Sequence, residues 1–339
     1  MLDLVRDRLQ EKTDRLRSLV EQSLVGIFQG STDLDRAARH ILFGEGKRVR
    51  ASLALIGMEA AGGRAAAAVQ IAAAFELLHT ASLIHDDIMD SAQMRRGREC
   101  VHRVFGTRMA ITAGDALIFE AYRHVLLLGA EHPAPVVTRI LHIFTACAAR
   151  TCRGQAHDVT FPFASATMRQ YLTMVRAKTG SMIEAPLASV AMLADAPPSW
   201  CDRFREYGRC LGIAFQLVDD VIEYLGSEEK SQKTLGNDLR NGGGSAMLIF
   251  CRHTCDAGER RTLNDAVRRV QETRDGEARE ALRALLLQHG AVDFTQRLCR
   301  RYVQRALRAL DGIGMEPARG ELEAIASILG DWEAPTVRG

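Results

Sequence analysis

Leu83-Ile84-His85-Asp86-Asp87-Ile88-Met89-Asp90 is the stretch on which the fold and the chemistry both turn. It ends an apolar, alanine-rich run from Ala72 to Ile84 that reads as a buried helix. On a helix Asp86 and Asp90 lie one turn apart on one face, about 6 Å along the axis, with Asp87 beside them. Like charges stacked this way cost stability unless something positive sits between them. Apart from His85, nothing basic occurs between Ala81 and Met94. A hard cation is the natural compensator, and Mg²⁺ is held by one or two carboxylates plus substrate phosphates. A solvated helix end explains a lone acidic cluster equally well. Two features tip the reading toward a metal: Arg95-Arg96-Gly97 follows at once, and Asp219-Asp220-Val221-Ile222-Glu223 repeats the pattern 133 residues on. Each cluster closes an apolar helical turn, as expected of facing walls in a helical bundle, where carboxylate metal sites are built.

Around these clusters almost every segment has helical character, and no strand is strong enough to expect. Helices are expected over 3–29, 33–43, 50–61, 65–90, 110–129, 136–159, 167–194 (interrupted at Gly180) and 199–224. Four or so more fill 246–331, and residues 226–245 read as a glycine-rich polar loop. The loops are short and no linker composition occurs, so one all-α domain over 1–339, with a tail from about 332, is expected.

The bulk numbers are those of an ordinary globular chain, 339 residues with 25% charged. A net charge of +2 gives no reason to expect nucleic acid or a membrane surface as partner. No uncharged apolar run reaches the length of a membrane span, and the charged, amphipathic N-terminus reads as neither a signal nor a transit peptide. Eight scattered cysteines without a CxxC pair read as reduced thiols, so a cytoplasmic protein is expected. Cys251-Arg252-His253-Thr254-Cys255 has the look of a zinc half-site, with no second half visible in the sequence.

Carboxylates that gather Mg²⁺ need cations for the rest of the substrate's charge. Lys47, Arg48, Arg50, Arg95, Arg96, Lys178 and Lys233 are available. Singly, each reads more naturally as a solvated surface residue. Together with the absence of a Gly-rich nucleotide loop, they favour a diphosphate ester over a nucleotide.

The motifs GEGKRVR (44–50), ELLHTASLIHDDIMD (76–90), RRG (95–97), HRVFG (102–106), AGDAL (113–117), GQAHD (154–158), KTG (178–180), GIAFQLVDD (212–220) and KTLGNDLR (233–240) resemble, in order and spacing, the trans-isoprenyl diphosphate synthase (polyprenyl synthetase) family. The resemblance implies an all-α bundle around a deep central cavity, usually homodimeric. It implies that Asp86, Asp87, Asp90 and Asp219, with Asp220 and Glu223, bind three Mg²⁺ bridging an allylic diphosphate. Arg95, Lys178 and Lys233 would touch that diphosphate. Lys47, Arg50, His79 and Arg96 would hold isopentenyl diphosphate, and Thr179 and Gln216 would sit near the reacting carbons. The expected product is an all-trans polyprenyl diphosphate. Because Ala81 and Ser82, one turn below Asp86, are small, a product longer than C20 is expected. In the short-chain members an aromatic floor stands there, although neighbouring Phe119, Tyr122 or Phe144 could close the cavity instead.

The chain departs from the family pattern at four places. Glu223 stands for an Asp, Gly243 for a Lys, Met247 for a Pro and Ala51 for a Pro. These departures keep open a terpene cyclase, or a weakly catalytic regulatory subunit of a heteromeric synthase. The intact first motif with RRG argues against the second, and Lys47, Arg50, His79 and Arg96 argue against the first.

Overall fold

The computed structural model describes residues 2–44, 48–162, 164–225, 244–273 and 275–332, with side chains described from Lys12 onward. The chain runs as α1 (Leu2–Val25), α2 (Asp33–Leu42), α3 (Val49–Ala60), α4 (Val69–Met89, entered through a 3₁₀ turn at Ala65–Ala68), α5 (Val101–Val104), α6 (Thr107–Leu127) and α7 (Ala134–Val159). It continues with α8 (Met168–Val175), α9 (Ser181–Leu193), α10 (Pro198–Leu225), α11 (Ala246–Thr254), α12 (Ala257–Thr273), α13 (Gly276–Gln288), α14 (Ala291–Leu310) and α15 (Ala318–Gly330). The expected all-α bundle is what forms.

Helix starts follow the side chains that can cap them. Thr32 and Asp35 form a reciprocal capping box on α2, and Thr167 and Gln170 do so on α8. Helix α3 begins differently. Its N-cap, Arg48, is left-handed and offers no side-chain cap. Glu76 reaches across from α4 instead and accepts the Ala51 N–H at 3.1 Å.

Helix α4 is buried almost all round, which is the fate of a helix apolar on every face. It is also the described helix long and apolar enough to cross a membrane, yet here it is a core element packed on α3, α6 and α9. Helix α10 packs on α9 and α14, and these contacts make the main core. A smaller apolar cluster gathers α11, α12 and α13 against the end of α10.

Two local features differ from the expected pattern. The polar connection after Asp90 contains a two-residue antiparallel hairpin, Met94–Arg95 with Arg98–Glu99. The interruption at Gly180 is not a break but a π-helical turn, Arg176–Gly180, inserted between α8 and α9. Such turns occur frequently at functional sites, and this one carries Lys178 and Thr179.

Candidate active site

Close helix contacts bring the motifs together. A Cβ on Gly154 of α7 would sit 2.3 Å from the Lys178 backbone nitrogen, and one on Gly212 of α10 would sit 2.7 Å from the Gly180 Cα. Only glycine lets both helices press against the π-turn. A pocket opens where the ends of α4, α7, α8 and α10 meet, and Asp90, Lys178, Asp220 and Glu223 all line it. Residues 130 positions apart in sequence therefore share one cleft.

The second motif is held by a chain of hydrogen bonds. Thr179 donates to Gln216 Oε1 at 2.8 Å, and Gln216 Nε2 donates to Asp220 Oδ1 at 3.0 Å. The Tyr171 hydroxyl donates to Asp220 Oδ2 at 2.6 Å, and the first backbone N–H of α11, on Ala246, approaches the same oxygen at 3.4 Å. Burial, and then the Asp220 charge, push the Tyr171 hydroxyl well above its usual range, so it stays protonated and donates.

The first motif is arranged less simply. Asp87 is buried and faces Arg95, whose Nε and Nη2 lie 2.8 and 2.6 Å from Asp87 Oδ1. The hairpin thus folds a cation back onto a cluster that looked uncompensated in sequence. Burial works against the Arg95 charge, but Asp87 outweighs it and the guanidinium is held above its ordinary value. Burial raises the Asp86 carboxyl, with Lys178 and Arg95 opposing the rise and Asp158 and Asp87 adding to it. His85 turns toward α6, 3.5 Å from the Ile111 carbonyl, above Gly114, where a Cβ would meet its ring at 2.3 Å. Its Nε2 lies 3.6 Å from Asp115 of α6, and His85 does not line the acidic pocket.

Beyond Arg95 lies a nest of positive charge. Arg48 is buried, donates to the Leu42 carbonyl and approaches Glu76 at 3.5 Å. Arg96, left-handed at φ 55°, donates to the Ile41 carbonyl at 3.2 Å. Burial, then Arg48, bring Arg96 down to about 10. Burial also lowers Arg50, whose Nε is enclosed with no hydrogen-bond partner among the described residues. His79 is driven well below the ordinary histidine value by burial and then by Arg50, Arg96, Arg95 and Arg48. A neutral imidazole among four guanidinium groups, with Glu76 and, at Arg95, Asp87 the acids facing them, leaves a net positive site that can receive an anion.

Of the residues expected from sequence, the structure brings Asp90, Lys178, Thr179, Gln216, Asp220 and Glu223 to one pocket, and Arg50, His79 and Arg96 to the basic nest. Asp219 lies on the same turn of α10, half-buried. Lys47, Lys233 and Gly243 lie outside the described residues. Lys178 forms an ion pair with Asp158 at 2.6 Å, a partner that sequence reading did not assign. Glu76, Tyr171 and Gln155 were likewise missed. Ala81 has no exposed surface, and Ser82 donates to the His79 carbonyl at 2.8 Å. Phe119, one of the residues considered as closing the cavity, is 73% exposed and cannot do so. Phe144 and Tyr122 instead form edge-to-face pairs, with Phe144 against Phe75 of α4 at 5.2 Å and against Tyr122 at 5.0 Å.

Comparison with known proteins agrees with this geometry. The family model described as Polyprenyl synthetase matches residues 31–285. A short chain isoprenyl diphosphate synthase of Methanothermobacter thermautotrophicus is 32% identical, over 95% of this chain and 98% of that one. The crystal structure of geranylgeranyl pyrophosphate synthetase from Pyrococcus horikoshii superposes with a TM-score of 0.87 at 29% identity, covering 96% of this chain and 100% of that one. A polyprenyl synthase from Caulobacter crescentus, complexed with calcium and isoprenyl diphosphate, gives 0.86 at 25% identity, covering 98% of each chain. The chain belongs to the polyprenyl synthetase family of trans-isoprenyl diphosphate synthases and is a prenyltransferase.

Proposed function

We propose that the protein condenses isopentenyl diphosphate with an allylic diphosphate to give an all-trans polyprenyl diphosphate of about C20. The observation that carries this reading is the meeting of Asp90 from the first motif with Asp220 and Glu223 from the second in a single pocket beside Lys178. The donors are all oxygen, which suits Mg²⁺. Gln155 Oε1, in the pocket lining, is buried with no hydrogen-bond partner among the described residues, consistent with an oxygen set for a cation. Asp86, Asp87, Asp90, Asp219, Asp220 and Glu223 are the candidate ligands, with three ions expected. Mg²⁺ bound there would neutralise the leaving diphosphate as the allylic C–O bond breaks.

The chain's own groups do the rest. Lys178 and Arg95 move from Asp158 and Asp87 to the allylic diphosphate, and Lys233 joins them. Arg50, Arg96 and Lys47 hold the second diphosphate, and neutral His79 contributes a hydrogen bond without needing to lose a charge. Thr179 and Gln216, already linked to each other and to Asp220, set fixed dipoles beside the reacting carbons. No protein general base is needed, because the departing pyrophosphate can take the proton.

Product length is a finer question, and the packing favours a shorter product than the small residues at 81 and 82 suggest. Phe75 lies three turns below Asp86 on the same helix face, about 16 Å deeper. An isoprene unit adds four chain bonds, about 4.5–5 Å by ordinary bond geometry. Three to four units therefore reach the Phe75–Phe144–Tyr122 cluster. A homodimer is also proposed, through the outer side of α6, where Ile111, Phe119 and Leu126 are exposed together.

The test is incubation with labelled isopentenyl diphosphate, Mg²⁺ and primers from C5 to C20, followed by product sizing. Consumption of both substrates with accumulation at C20 is expected. Product formed from the allylic diphosphate alone would replace this reading with a cyclase, and no product from any primer would leave a non-catalytic subunit.

A further inference from the structure

On the far end of α11 from the acidic pocket, three helices bring together the side chains of a soft metal site. Cys251 is in the last turn of α11 and Cys255 directly follows it. Glu259 is in the first turn of α12, and His289 caps the C-terminus of α13. His253, which sits between the cysteines in sequence, is exposed and takes no part. The Cys251 and Cys255 sulfurs are 3.7 Å apart, Cys255 Sγ is 3.5 Å from His289 Nε2, and His289 Nε2 is 3.3 Å from Glu259 Oε2. The Cys255, Glu259 and His289 ligand atoms all lie within 4.8 Å of one another.

We propose that Cys251, Cys255, Glu259 and His289 form a structural site for a thiophilic divalent cation of the Zn²⁺ class, separate from the catalytic metal site. The distances support a tetrahedron. With Zn–S near 2.3 Å, Zn–N near 2.05 Å and Zn–O near 2.1 Å, its edges are about 3.8 Å for S···S, 3.6 Å for S···N and 3.4 Å for N···O. The two edges within the Cys255–Glu259–His289 group follow the same order and each falls slightly short of that value, while Cys251, 3.7 Å from Cys255 but outside that group, must turn its side chain to complete the set. Hydrogen bonding explains them less well. His289 Nε2 carries at most one proton, yet it faces both a sulfur and a carboxylate oxygen, and 3.3 Å exceeds the usual N–H···O range of about 2.7–3.2 Å.

The surroundings are those of a prepared site. Glu259 is oriented by Gln288 Nε2 at 3.1 Å and by the Asp256 N–H at 3.0 Å. Both sulfurs are buried. Thiolate and imidazole ligands select zinc-like ions over Mg²⁺ or Ca²⁺, so the two metal sites of this chain would take different ions. Cys251 meets the cluster through Cys255 and supplies the fourth corner by a swing of its side chain. A metal there would clasp the start of α12 and the end of α13 to α11. The opposite end of α11 presents the Ala246 N–H to Asp220.

The experiment uses the full-length protein, reduced and freed of metal, titrated with Co²⁺ and then Zn²⁺. One Co²⁺ per chain should give a near-ultraviolet sulfur-to-cobalt charge-transfer band and the intense visible bands of a four-coordinate ion, both displaced by Zn²⁺. Oxygen ligands in the acidic pocket give no sulfur band, so the two sites are told apart. Cys255→Ser and His289→Gln should lower affinity at least 100-fold, and Glu259→Gln at least tenfold while the sulfur band persists. Cys152→Ala, at an exposed cysteine outside the cluster, should bind as the wild type does. Circular dichroism confirms that each variant is folded, and Cys251→Ser serves if Cys255→Ser is not. Absence of the sulfur band in the reduced wild type, or its persistence unchanged in Cys255→Ser, overturns the site.

Discussion

Replacing Tyr171 with phenylalanine removes one oxygen from the interior and tests how Asp220 is held. Tyr171 is fully buried, and its hydroxyl donates to Asp220 Oδ2 at 2.6 Å, the length of a charge-assisted bond. Phenylalanine fits the same space, so the lost ring contacts are few and the change is nearly pure hydrogen bond. A bond to a charged partner contributes about 1.5–3 kcal/mol, and Asp220 is too buried for water to replace the donor freely. Gln216 and the Ala246 N–H still hold the carboxylate, so the loss should sit at the lower half of that range. Urea unfolding of wild type, Tyr171→Phe, Asp220→Asn and the double variant isolates the pair, with an expected coupling of about 1.5–2 kcal/mol. An Asp220 left less well oriented should also bind Mg²⁺ more weakly, raising the half-saturating Mg²⁺ concentration about 10- to 100-fold, as loss of a partner to a metal ligand commonly does. A coupling below about 0.5 kcal/mol together with unaltered Mg²⁺ dependence would refute the claim that Tyr171 positions this carboxylate.

Three further outcomes are expected. Phe75→Ala should cost about 3–5 kcal/mol of stability and lengthen the products past C20, and products of unchanged length would remove Phe75 as the floor. His124 donates to Gln70 Oε1 at 2.6 Å through Nδ1, while Nε2 is enclosed with no hydrogen-bond partner among the described residues, and burial lowers the imidazole to about 4. Its contribution is therefore complete above the unfolded value of about 6.5 and is lost as pH falls toward the folded value, so between pH 7 and 4.5 His124→Asn should lose about 2–3 kcal/mol less than wild type, and equal losses would refute this. Phe119→Glu should convert a dimer to a monomer by light scattering, and a wild-type monomer, or a variant that stays dimeric, would refute the α6 interface.

The acidic clusters and the basic residues could be read from sequence because each is a local pattern: carboxylates at one-turn spacing, or guanidinium groups beside a helix start. What was not legible depends on contacts between distant segments. Counting charges up to Met94 stopped one residue short of Arg95, and only the hairpin turn folds that arginine onto Asp87. Glu76 did leave a signal, as a single acid inside an apolar helical run, and such an acid needs a buried partner. It found Arg48 and the start of α3. Gly180 read as an interruption because a π-turn and a break look alike in sequence. The closeness of Gly154 and Gly212 to that turn is what gives it meaning. The second half of the cysteine site was invisible because Glu259 and His289 reach it from two other helices.

The account rests on the two acidic motifs acting on one diphosphate through shared metal ions. The direct measurement is pyrophosphate release as a function of Mg²⁺ for wild type, Asp90→Asn, Glu223→Gln and the double variant. Each single change should lower turnover by roughly 100-fold or more, and the double variant should fall little further, because ligands of a shared centre fail as a unit. Single variants within about tenfold of wild type, fully multiplicative losses, or release undiminished in EDTA would contradict it.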